Sequence, residues 1–147
     1  MKKDNKGFTL IEIIVVMAVL SVLFSIILIV INPKTQFSRA NNAKRRSDTA
    51  AILNAIGAYT ADNKGVLPSG IATTVATITD SPNGANICAS LVPNYIPALP
   101  PDPSLKTNDI TTCTNYNTGY TVVKDANNRV TVAAPDQENG EVISITR

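Results

Sequence analysis

The side chains that could do chemistry are few. The 147 residues include no His, no Trp and two Cys. Without His, the usual neutral-pH proton carrier and the commonest metal ligand are both missing. Two thiols cannot build a four-ligand zinc site. Asp102, Asp109 and Asp125 sit in turn-like segments, where Asp is favoured for local hydrogen bonds. No GxSxG, phosphate-binding loop or metal-ligand cluster is present. The reading is therefore of a non-enzyme with no catalytic residue, no metal and no cofactor. The net charge of +2 argues against a nucleic-acid binder that works by bulk charge. One ionisable group stands out: Glu12 is the only charge in the 24 residues from Phe8 to Ile31. A carboxylate in such a run costs on the order of 1–3 kcal/mol, depending on depth. The helix dipole offsets a little of that near an N-terminus.

The element that carries Glu12 is FTLIEIIVVMAVLSVLFSIILIVI, preceded by the basic stretch MKKDNKG. A basic leader before an apolar run is the grammar of an export signal. The run is too long for an ordinary signal core, and no small-x-small cleavage site follows it. Its 19 uncharged residues from Ile13 to Ile31 would span roughly 28 Å as a helix, enough for most of a bilayer's hydrocarbon. A retained membrane helix is expected. Charge does not orient it: Lys2, Lys3 and Lys6 precede it, while Lys34, Arg39, Lys44, Arg45 and Arg46 follow it.

Lys6 to Glu12, KGFTLIE, resembles the leader junction of type IV pilins and type II secretion pseudopilins. The resemblance implies that a prepilin peptidase cuts after Gly7 on the cytoplasmic side and that Phe8 becomes the N-methylated first residue. It also implies that the Phe8 amine of one subunit pairs with Glu12 of its neighbour during assembly. Methylation keeps the charge of the amine. The leader takes away three Lys and one Asp, so the mature chain, with ten basic and ten acidic side chains, is neutral. The implied partners are the chain itself as a helical homopolymer, the prepilin peptidase, an assembly ATPase, a platform protein and the cytoplasmic membrane before assembly. Nucleic acid would be met only through the filament. The subunit would begin as a single-pass protein of the bacterial cytoplasmic membrane and end in an extracellular pilus, or in a periplasmic filament if it is a pseudopilin. Two alternatives stay open: a pseudopilin of a type II secretion system, and a membrane-anchored extracellular binding module that never polymerises. Cys88 and Cys113 form one disulfide if the head is exported, worth about 3.5 kcal/mol by loop entropy. Two free buried thiols are expected if it is cytoplasmic.

The fold expected is α+β, a long N-terminal helical spine on a small C-terminal antiparallel sheet of about three strands. Residues 1–7 are the leader, 8–31 the membrane and filament-core helix, and 32–64 the amphipathic half of the spine. Residues 65–118 form a connecting loop region and 119–147 a β-meander. Asn32-Pro33 predicts a break or kink, with Pro33 as the kink residue, followed by continuation of the helix. Phe37, Ala40, Ala43, Ala50, Leu53, Ile56 and Tyr59 recur at three- and four-residue steps and mark the buried face. Lys44 and Arg45 are both within helical reach of Asp48. Arg39 to Arg46 is the one basic cluster; it reads as a solvated collar that faces headgroups before assembly and acidic neighbours in the filament, with contact to DNA or anionic lipid as the alternative. Ala85 to Val92 predicts a short helix. Tyr120–Lys124, Arg129–Ala133 and Glu141–Thr146 alternate as strands, with Val122, Val130, Val132, Ile145 and either Val142 or Ile143 toward the helix.

Overall fold

The computed structural model describes residues 7–147; residues 1–6 of the expected leader lie outside it. Two compact units divide the chain, the first ending at Phe37 and the second running from Ser38 to Arg147.

The first unit is dominated by helix α1, Leu10–Ile31. It is apolar on every side, and each of its described side chains is exposed. Its 22 residues extend about 33 Å. Its polar interior positions look after themselves. Ser21 donates its hydroxyl to the Met17 carbonyl at 2.7 Å, and Ser25 to the Ser21 carbonyl at 2.9 Å. No hydroxyl is left seeking water, as an apolar solvent requires. By length and composition the segment Leu10–Ile27 can cross a membrane. The helix stops at Asn32, which takes a left-handed conformation (φ 43°). Pro33 disfavours helical geometry in the residue before it, and Asn tolerates the left-handed alternative better than most residues. Helix α2, Pro33–Asp62, then starts with Pro in its first position, where the missing amide is not needed. The Asn32 carbonyl accepts the amides of Thr35 (3.1 Å) and Gln36 (3.4 Å).

The second unit is α+β. Strands β1 (Ala76–Thr79), β2 (Asn117–Lys124), β3 (Val130–Ala133) and β4 (Ser144–Thr146) form one antiparallel sheet in chain order. Ala76, Val122, Val132 and Ile145 stand opposite one another in a single row across all four strands. The core joins this face to Ile52, Leu53, Ala55 and Ile56 of α2. The short helix α3 (Cys88–Leu91) covers part of the core, and Cys88 is joined to Cys113 by a disulfide with Cα atoms 5.4 Å apart.

Four expectations need correction. The sheet has four strands where about three were expected, because β1 lies in the segment read as connecting loop. Only Ile78 of β1 is fully buried, so its alternation is too faint to see without its partner β2. Strand β4 is shorter than Glu141–Thr146, and it is Ile143 that is buried while Val142 is exposed. Phe37, Ala40 and Ala43 are exposed; the buried face of early α2 is the polar set Ser38, Asn42, Arg45, Asp48 and Thr49. Finally, Arg45 is not part of a solvated collar: it is 1% exposed.

Arg45 is buried because its charge is answered from elsewhere in the chain. Its guanidinium grips Asp102 through Nε (2.7 Å) and Nη2 (2.9 Å), a bidentate fork. Nη1 donates to Asn42 Oδ1 and to Glu138 Oε1, each at 3.1 Å. Asn41 donates to the same Glu138 oxygen at 2.8 Å. Asn42 and the Glu138 backbone exchange two more bonds, at 2.8 and 3.0 Å. Tyr120 donates its hydroxyl to Asp48 at 2.8 Å, and Lys44 pairs with Asp48 at 3.0 Å. Arg46 pairs with Glu141. Among the described residues no buried side-chain polar atom lacks a partner. Burial pushes the Asp102 carboxyl up, but Arg45 and the Ser104 amide outweigh it and hold it below its ordinary range. Hydrogen bonds from Ser38, Asn41 and Arg45 pull Glu138 down to about 2.

Removing one partner of a buried pair strands the other charge, so Arg45→Ala should cost about 3–5 kcal/mol of head stability, read by urea unfolding in detergent. Both carboxylates have lowered folded-state values, so the unfolded chain binds their protons more readily and stability falls on acidification. Stability should hold from neutral pH to about 4.5, the ordinary Glu value, and decline as pH approaches about 2. Glu138→Gln should flatten part of that decline in a pH series of thermal unfolding.

Candidate functional site

The residues singled out at the chain's start are placed by the first turn of α1. Thr9 is the N-cap, with extended backbone (φ −80°, ψ 152°). Its hydroxyl oxygen accepts the Glu12 amide at 3.4 Å, and Glu12 Oε2 accepts both the Thr9 amide and the Thr9 hydroxyl at 2.9 Å. This reciprocal capping box satisfies amides that the helix cannot satisfy itself. It also turns the Glu12 carboxylate back toward the start of the chain. Only Oε2 is engaged among the described residues; Oε1 is not.

Gly7 and Phe8 precede the cap, outside the helix. Phe8 is 86% exposed, and no atom lies within 4 Å of where a Cβ on Gly7 would be. The Gly7–Phe8 peptide bond is thus in open, non-helical chain. Cleavage there would place a new amine one residue before the N-cap and four before Glu12. Thr9 is the capping residue that the sequence reading missed; the Thr-x-x-Glu spacing before an apolar run is its signature.

The other singled-out residues lie elsewhere. Pro33 opens α2, and Cys88 and Cys113 close the disulfide of the second unit. Among the described residues no group of three or more His, Cys, Asp or Glu is placed to hold a metal ion.

Residues 2–28 match a family described as the prokaryotic N-terminal methylation motif. This is the class III signal peptide of type IV pilins and pseudopilins. The methylation motif covers the basic leader, Gly7, Phe8, the capping box and most of α1. It supports a precursor of the type IV pilin or pseudopilin kind. It is a structural motif and not that of an enzyme family. No curated protein and no solved structure matches the chain.

An N-cap exchange of Thr for Ala typically costs about 1 kcal/mol, or roughly a fivefold change in a local opening equilibrium. Thr9→Ala should therefore speed amide exchange at Glu12 and Ile13 by about that factor in detergent micelles, and leave the rest of α1 unaffected.

Proposed function

We propose that this protein is a structural subunit of a type IV pilus-like filament. Prepilin peptidase removes the leader after Gly7, and the new N-terminus, Phe8, is methylated. Helix α1 holds the subunit in the cytoplasmic membrane until residues 8–31 become the filament core. The observation that carries this reading is the methylation motif laid directly over a helix that is apolar on all sides.

The chemistry of assembly follows from the solvent. Lipid tails are as apolar as the side chains of α1, so moving the helix from bilayer to filament gains little from the hydrophobic effect. Selective association must come from packing and from polar groups that lack a good partner in lipid. Glu12 is such a group. A carboxylate offers about four acceptor positions. Thr9 occupies Oε2, leaving Oε1 for the ammonium of a neighbour's Phe8. An assembly ATPase acting through a platform protein supplies the work of extraction. The disulfide and the Pro-Asp-Pro stretch at 101–103 favour a pilus over a secretion pseudopilin, whose filament would stay periplasmic.

Glu12→Ala should leave the protein in the membrane fraction and strongly reduce its amount in the fraction sheared from cells. Normal filament yield from this variant would overturn the pairing. A wild-type chain never found outside the membrane would favour the anchored module.

A further inference from the structure

We infer that Phe37, flanked by Lys34 and Arg39, anchors the unassembled subunit to anionic lipid headgroups at the outer face of the membrane. This rests on the reading of α1 as a membrane helix. Of the five cations from Lys34 to Arg46, three are answered within the chain: Lys44 by Asp48, Arg45 by Asp102 and Glu138, Arg46 by Glu141. Lys34 and Arg39 are exposed and have no ion-pair partner among the described residues. Between them stands Phe37, 72% exposed, the one exposed aromatic ring of this stretch. An exposed Phe is not stabilised by water, and its neighbours on α2 do not cover it.

Distance and direction fit the headgroup layer. Phe37 is six residues beyond Ile31 and within the second turn of α2, on the order of 10 Å of chain rise. Helical side chains lean toward the N-terminus, which brings the ring back toward the apolar segment. The polar layer on each side of the hydrocarbon is about 5–8 Å thick. Aromatic rings concentrate at that level, and Lys and Arg there reach phosphates while their stems stay in apolar surroundings. Each such cation near an anionic surface strengthens the contact by about fivefold. The occupant is thus a lipid surface carrying negative headgroups.

The chain has no Trp, so Phe37→Trp makes a single-site fluorescent reporter in the full protein. The protein is reconstituted in phosphatidylcholine–phosphatidylglycerol vesicles with lipids brominated near the headgroup end of their chains. Phe37→Trp should emit to the blue of a water-exposed indole and be quenched. Adding Lys34→Ala and Arg39→Ala should reduce the quenching in these vesicles, with a smaller change in pure phosphatidylcholine. Phe24→Trp, inside α1, is the control. Quenching of Phe24→Trp with none at Phe37→Trp would overturn the anchor and leave the membrane helix standing. Blue emission at Phe37→Trp without lipid quenching would overturn it in favour of a second copy covering the ring. Absence of quenching at both sites would overturn the membrane reading and the anchor with it.

Discussion

A 22-residue helix that is apolar all round must be covered by something other than its own chain, and this constraint governs the rest of the protein. Its two hydroxyls fold back on helix carbonyls, and the Thr9 and Glu12 amides are capped. Between its ends the helix therefore presents almost no polar side-chain demand of its own. On the proposed function, lipid would satisfy it before assembly and identical helices would satisfy it in a filament. The exception is Glu12, whose Oε1 is unengaged among the described residues and which, on the proposed function, would take a neighbour's ammonium in the filament.

The second unit solves a different problem. A small head with a modest core must be held to the helix that carries it. Apolar contact from Ile52, Leu53 and Ile56 does this for the later part of α2. Earlier, where the helix surface is polar, the buried Arg45 does it by collecting Asp102 and Glu138 from two distant loops. The turn Glu138–Glu141 contributes to two adjacent arginines. Asn139 and Gly140 both have positive φ, as a tight two-residue turn requires, and the Glu141 amide reaches the Glu138 carbonyl at 3.4 Å. That turn sets one carboxylate against Arg45 and the other against Arg46. Ionic contacts of this kind are directional, so they constrain where the loops sit, and losing one partner strands the other charge.

What was legible in the sequence followed from local signals. The apolar run, the KGFTLIE junction, the Asn-Pro break and the alternation of β2 and β3 are each contained in a few consecutive residues. The elements that escaped depend on distant partners. Strand β1 shows one fully buried apolar residue and becomes a strand by pairing with β2 about forty residues away. The inward face of early α2 is not legible from its apolar residues, because Phe37, Ala40 and Ala43 are exposed. The residues that turn inward there are Ser38, Asn42 and Arg45, whose partners Asp102 and Glu138 lie tens of residues downstream. Nothing in RANNAKRR distinguishes Arg45 from its neighbours until those carboxylates are in place. The capping box escaped as well, although it is local: Thr9 and Glu12 are three apart, and the Thr-x-x-Glu spacing alone marks it.

On the proposed function, α1 is a processed filament helix and not a permanent anchor. Intact-mass and N-terminal fragment spectra of the protein isolated from cells that possess the peptidase test it most directly. The account predicts a chain that begins at Phe8 and carries a methyl group on its amine. A chain that still begins at Met1 in those cells would contradict it and leave α1 as a simple membrane anchor.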